Sequence, residues 1–317
     1  MKKCLVVCWF GTVPNYYEFW EKSAARNENY DFLIFTDQDF ESRYKNIFFI
    51  KKTIKEMSRL FSDKLGFVVD IQKPYKFCDF RPAFGIVFDE YLKQYDFWGH
   101  CDFDQIFGSL DTFITEDILN KYDKINFNGH YTLYRNNNYI NNLFRKNDGV
   151  FSYKEVFSSC ENFAFDEFTG IKRISEANKV NMVYINDFCD INVRYSMYNC
   201  FNSKNYKYQI YSWENGKLFK YHYERNKLVK EEKMYLHFQK KHPVIKANIE
   251  SDSFLICKAG IINFNIELTK TNIVNNNGKM NFFRKKYDNL KYIFKKLNDF
   301  ITSNNDKKKI WLKQKIM

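Results

Sequence analysis

Asp102-Phe103-Asp104 closes the apolar run Tyr95–Cys101 and is the segment of this chain best suited to chemistry. In extended chain, residues i and i+2 share a face, so both carboxylates project together while Phe103 turns into the core. Adjacent anions repel. A hard divalent cation, Mg2+ or Mn2+, relieves that repulsion, with waters and phosphate oxygens completing its shell. The bland alternative is a solvated strand end. His100 and Cys101 precede the pair and raise zinc, but neighbouring strand residues face opposite sides and cannot share one ion with both aspartates. A second acidic pair, Asp166-Glu167 in FAFDEF, suits a general base taking a proton from a hydroxyl. Dipole complementarity at a helix start would place acids there equally well.

The elements that must position these residues alternate between strand and helix. CLVVCWF, DFLIFTD and IFFI read as buried strands. The opening MKKCLVVCWFG has too short an apolar stretch and no cleavage site for a signal peptide, so it reads as the first strand. Thr53 and Glu56 form a capping box ahead of a helix carrying Met57, Leu60, Phe61 and Leu65. Pro74 breaks the chain, and Pro82 opens a helix to about Leu92 before the strand Tyr95–Asp104. Such alternation predicts an α/β fold, a mainly parallel sheet covered by helices, with ligands beyond the carboxyl ends of the strands. Helical signals follow near Tyr153–Ser159 and Glu167–Ala177. YQIYSWENGKLFKYHY predicts an added β-hairpin turning at Asn215-Gly216.

Composition limits the function classes. The 317 residues are 45% hydrophobic and 20% aromatic, enough for a large core, and no apolar run is long enough to span a bilayer. Eight cysteines without a C-x-x-C pair read as reduced, mostly buried thiols and a cytoplasmic location. The formal charge of +12 resides in the C-terminus: residues 268–317 hold 13 Lys/Arg against 3 Asp/Glu, leaving 37 against 35 elsewhere. A nearly neutral body without nucleic-acid motifs argues against a nucleic-acid partner. Within the tail, Phe283, Tyr287, Leu290, Phe294, Leu297 and Ile301 fall on one helical stripe, with Arg284, Lys285, Lys291, Lys295 and Lys296 mainly on other faces. Two readings stay open: a cationic helix on the anionic inner face of the cell membrane, or a helix packed on its own domain.

The block KPYKFCDFRPAFGIVFDEYLKQYDFWGHCDFD resembles the donor-site stretch of GT-A glycosyltransferases, and the opening through DFLIFTD resembles their nucleotide-binding start. YLHFQKKH resembles the segment where some of these enzymes carry a further metal-ligating histidine. The series FGTVPNY, DFLIFTD, PYKFCDFRPAFG, FWGHCDFDQIFG, GHYTLYRN, AFDE and HFQKKH is similar to a bacterial family found in capsule and surface-polysaccharide gene clusters. The resemblance runs from about Cys4 to His242.

The resemblance implies a GT-A, Rossmann-like catalytic domain over 1–265. Its nucleotide-sugar half would be about 1–127, its acceptor and metal-completing half about 128–265, and a basic helical tail would occupy 266–317. It implies a cytoplasmic, Mn2+- or Mg2+-dependent transfer of a sugar from a nucleotide donor, UDP-linked by expectation, to a glycan or lipid-linked glycan of the bacterial surface. Asp104 would ligate the metal, Asp102 the metal or the donor ribose, and His237 would be the third protein ligand. Lys240 would touch the diphosphate. Gly11, Thr12 and Asp37 would border base and ribose. Asp79 and Arg81 would fix ribose, phosphate or donor sugar, although the acid and arginine stand two apart here and three apart in related families. Asp166 and Glu167 would serve the acceptor, with His130 and Arg135 as contacts to acceptor or donor phosphate. Two alternatives are a phosphoryl or nucleotidyl transferase, for which more converging carboxylates and a Gly-rich loop would be needed, and a non-catalytic membrane-peripheral partner of a polysaccharide assembly complex.

Overall fold

The computed structural model describes residues 1–279 and 286–294. Phe283, Arg284, Lys285, Lys295, Lys296, Leu297 and Ile301 of the tail pattern lie outside the described residues. The chain divides into two compact units, Met1–Phe103 with Leu110–Ile185, and Asp104–Ser109 with the residues from Asn186 onward.

The strands up to residue 185 are β1 (Lys3–Cys8), β2 (Tyr30–Thr36), β3 (Ile47–Lys51), β4 (Phe97–Cys101), β5 (Gln105–Phe107), β6 (Lys124–Asn128), β7 (Tyr131–Arg135) and β8 (Met182–Val183). All but β5 form the sheet of the first unit, in the order β3-β2-β1-β4-β7-β6-β8. The strands β3, β2, β1 and β4 run parallel, β7 is antiparallel to both β4 and β6, and β8 rejoins β6 in parallel. The fold is therefore mixed α/β with a largely parallel central sheet.

Why helices cover this sheet on both faces is visible on β2. Phe32 and Phe35 stand three residues apart and so face opposite sides. Phe32 meets Trp20 of helix α1 (Tyr17–Ala25) at 5.6 Å between ring centroids. Phe35 stacks on Phe88 at 4.2 Å, and Phe88 packs against Phe61 of helix α2 (Ile54–Leu65). The capping box of α2 is formed: Thr53 Oγ1 accepts the Glu56 N–H at 3.2 Å, and Glu56 Oε2 accepts the Thr53 N–H at 2.7 Å. Gly66, at φ 81°, ends this helix in the left-handed conformation that glycine adopts without strain.

Two local expectations change. The helix expected from Pro82 to Leu92 is a series of short turns that begins earlier. Pro74–Lys76 forms a 3-10 turn, α3 spans Phe77–Phe80, and separate turns follow at Arg81–Ala83, Phe84–Val87 and Asp89–Leu92. Phe88, at φ −106° and ψ 24°, leaves helical geometry between the last two. The strand Tyr95–Asp104 also stops early. β4 ends at Cys101, so Asp102 and Asp104 lie in the bend before β5 and not in extended chain. Phe103 is buried as expected, with its ring 4.6 Å from Trp20 and 5.3 Å from Trp9.

In the second unit the strands are β9 (Cys189–Asp190), β10 (Gln209–Glu214), β11 (Lys217–Glu224), β12 (Lys227–Lys233), β13 (Tyr235–His237), β14 (Ser253–Cys257) and β15 (Gly260–Asn263). An antiparallel sheet runs β12-β11-β10-β14-β15, and a three-stranded sheet runs β5-β13-β9. Asn215 and Gly216, both at positive φ, turn β10 into β11 with Glu214 paired to Lys217. All eight cysteines are free thiols, none of them exposed.

Candidate functional site

Parallel strands deliver their carboxyl ends to one edge, and in the first unit that edge carries three of the expected donor residues. Gly11 follows β1, Asp37 follows β2 and Asp102 follows β4. Asp37 Oδ1 accepts the Gly11 N–H at 2.9 Å, with Gly11 at φ 93°. Hydrogen bonds from the Gln38 side chain and the Gly11 amide hold the Asp37 carboxyl below its ordinary range. Thr12 is exposed next to this turn. His130, in the turn between β6 and β7, lies at the same edge, since Tyr131 pairs with Cys101 at the end of β4. Arg135 pairs with Phe97 at the start of β4 and so lies at the opposite edge. There its guanidinium binds Asp123 and the carbonyls of Leu119 and Tyr122, away from the edge where the expected contact to acceptor or donor phosphate would be made.

Arg81 is the hub of this edge. One terminal nitrogen donates to Asp166 Oδ2 at 2.9 Å and to the Gly129 carbonyl, and the other donates to Asp102. A planar guanidinium presents its donors from separate nitrogens in a fixed fork, which suits it to bridging two carboxylates. Asp166 is 3% exposed, and burial pushes its carboxyl well above the ordinary range against the pull of Arg81. Glu167 accepts the Gly129 N–H at 3.3 Å. A Cβ at Gly129 would lie 2.7 Å from Glu167 Oε1 and 3.1 Å from Asp166 Oδ2, so a larger residue there would push these carboxylates aside.

Asp79 lies behind this hub and does not face it. It is fully buried within α3, where Oδ2 receives Lys76 Nζ at 2.8 Å and the Phe163 N–H at 2.9 Å, and Oδ1 receives the Phe165 N–H at 2.9 Å. Lys76, also buried, donates onward to the carbonyls of Val156 and Glu161. Fully buried and with its oxygens committed internally, Asp79 is not placed for the contact to ribose, phosphate or donor sugar expected of it. It ties down the segment that presents Asp166. Asp79→Ala is expected to cost about 3–5 kcal/mol of unfolding free energy, because it strands a buried ammonium and two amide donors. A urea titration checks this, and a loss under about 1 kcal/mol would show the lock to be dispensable.

The second unit contains the other cluster. β13 pairs antiparallel with β5, setting His237 opposite Gln105, and parallel with β9, setting His237 opposite Asp190. The Phe238 N–H donates to the Asp104 carbonyl at 2.7 Å, fixing the residue just before β5. The imidazole lies between two carboxylates, Nδ1 at 2.8 Å from Asp190 Oδ1 and Nε2 at 3.2 Å from Asp104 Oδ1. Gln239 Nε2 also donates to Asp190 Oδ1 at 2.8 Å. Burial opposes a charged imidazole here, yet Asp104 and Asp190 outweigh it and raise His237 well above its usual range. Lys240 is exposed just beyond β13.

Residues 47 positions apart meet in this second cluster, and Asp190 carries no sequence signal that separates it from other acids. Gly129 was more accessible to reading, since Asn128-Gly129 is a turn dipeptide next to a candidate histidine. Among the described residues, no helix is long and apolar enough to cross a membrane.

The galactosyltransferase LgtC, solved in complex with donor and acceptor sugar analogues, is similar to this chain at 14% identity and a TM-score of 0.32, over 62% of this chain and 74% of that one. No curated protein matches the chain. A model described as a family of unknown function, DUF6625, matches residues 5–265, and the chain belongs to that family.

Proposed function

We propose that this protein is a metal-dependent glycosyltransferase of the GT-A type, moving a sugar from a nucleotide-sugar donor to a glycan acceptor of a bacterial surface polysaccharide. The observation that carries the proposal is the imidazole of His237, held at Nδ1 by Asp190 with Nε2 toward Asp104. A carboxylate that grips the remote nitrogen of a histidine fixes the ring for metal ligation and raises its basicity. A mixed set of carboxylate oxygen and imidazole nitrogen fits Mn2+, and carboxylate-rich versions fit Mg2+. His237 and Asp104 would hold the ion, with Asp102, two residues earlier in the chain, as further ligand or ribose contact. When bound, such an ion acts as a Lewis acid for the departing diphosphate.

The other assignments follow from chemistry within the first unit. Gly11, Thr12 and Asp37 border the nucleotide, at the strand edge where α/β sheets bind ligands. Arg81 keeps Asp102 and Asp166 from repelling each other and holds both at fixed orientation. Asp166 and Glu167 receive the acceptor. Burial pushes the Asp166 carboxyl above its ordinary range, and Glu167, only partly buried, is the more accessible of the two to an acceptor hydroxyl. Lys240 offers a point charge to the diphosphate.

The test is a screen of nucleotide-sugar hydrolysis with Mn2+, in which one donor is expected to be consumed slowly without acceptor. Thermal melting should shift jointly with Mn2+ and the matching nucleoside diphosphate, and an unmoved melt across all nucleotides would remove the enzyme reading. His237→Ala removes a direct ligand and should raise the Mn2+ concentration for half-maximal hydrolysis by at least about 10–100-fold, the range lost when only an outer-shell partner of a ligand is removed. An unchanged metal titration would return His237 to a structural role between two acids.

A further inference from the structure

We infer that the helix over residues 286–294 is a docking surface for an anionic lipid bilayer, an interaction that does not depend on the proposed transfer reaction. The sequence left two readings of this helix, stripe inward or stripe outward. One side is anchored to the second unit. Asp288 is 6% exposed and its Oδ2 accepts the Ser196 N–H at 3.4 Å, Asn289 Oδ1 accepts the Tyr195 hydroxyl at 3.2 Å, and the Arg194 guanidinium sits 4.6 Å over the Tyr292 ring.

At 3.6 residues per turn, 288, 289 and 292 share that anchored side, while 287, 290 and 294 lie opposite and 293 falls beside the anchored side. Tyr287, Leu290 and Phe294 are 59%, 47% and 68% exposed. The anchoring side is therefore the polar one, and the apolar stripe faces outward, the reverse of a helix packed on its own body.

Charge selects the occupant. Lys286 and Lys291 are exposed on the same helix, and residues 268–317 as a whole carry 13 Lys/Arg against 3 Asp/Glu. Lysine is depleted at protein–protein interfaces. At a bilayer surface its stem lies along the apolar layer while the ammonium reaches the headgroups. An outward stripe of Tyr, Leu and Phe edged by lysines fits anionic lipid better than a second protein.

Cosedimentation of the full chain with phosphatidylcholine–phosphatidylglycerol vesicles tests this. Binding is expected there and not with pure phosphatidylcholine. Leu290→Glu with Phe294→Glu should lower the partition coefficient by at least about tenfold and leave the melting temperature unchanged, since both side chains already face solvent. Lys286→Glu with Lys291→Glu should weaken binding in a salt-dependent way. Equal binding by the Leu290/Phe294 variant, or a parent chain that stays in the supernatant, overturns the proposal. A lower melting temperature in that variant, or a parent dimer that the variant abolishes, overturns it too, by showing the stripe to be covered by protein.

Discussion

Asp104→Asn is expected to abolish donor turnover, by about a thousandfold or more, while the protein still folds, with a lower melting temperature because His237 loses one of its two charged partners. The substitution keeps size and hydrogen-bonding shape and removes one negative charge. The Asp104 backbone, which accepts the Phe238 N–H and sets the start of β5, is untouched. What is lost is an anionic oxygen 3.2 Å from His237 Nε2. If that oxygen helps hold the cation that neutralises a leaving diphosphate, its removal forfeits several kcal/mol of transition-state stabilisation, and about 1.4 kcal/mol is a factor of ten in rate. Hydrolysis of the donor identified in the screen, read beside circular dichroism and a Mn2+ titration, makes the comparison. Normal turnover in this variant would remove the metal assignment altogether.

Arg81→Met should show a comparably large effect of a different kind, a loss of both stability and turnover. Arg81 is the cation shared by Asp102 and Asp166, with side-chain exposures of 13%, 26% and 5%. Removing it strands a nearly buried carboxylate and the Gly129 carbonyl, at about 3–5 kcal/mol when one partner of a buried pair is deleted. Asp166 can escape part of that cost by taking up a proton, a step that burial already favours. A second variant separates the two contributions. Arg81→Met combined with Asp166→Asn should recover a good part of the stability, because the stranded charge is gone, yet recover none of the turnover. If Arg81→Met unfolds at the parental urea concentration, Arg81 is not the electrostatic hub of this edge. If the double variant regains activity, Arg81 serves only to neutralise Asp166 and has no role toward the donor.

Much of the frame was legible in the sequence because it depends on short-range rules. The Thr53–Glu56 box, the Asn215-Gly216 hairpin and the first buried strands each rest on contacts within a few residues or on a hydrophobic period. The burial of Phe103 followed from the same alternation, even though the acids on either side of it left the strand and entered a bend.

Tertiary structure decided what each charged group does. Asp79 and Arg81 are two residues apart and look equivalent on paper. One points into a buried lock with Lys76 and the amides of Phe163 and Phe165, and the other points out to Asp102 and Asp166. Asp190 became a partner of His237 only through the pairing of β13 with β9. The stripe of residues 286–294 had its spacing written in the sequence, and its outward direction was set by the hold of Ser196 and Tyr195 on Asp288 and Asn289. The physical reason is common to all three. A side chain's type and local period are encoded by its neighbours, whereas its partner is chosen by segments tens of residues away, whose approach is determined by the packing of the whole core.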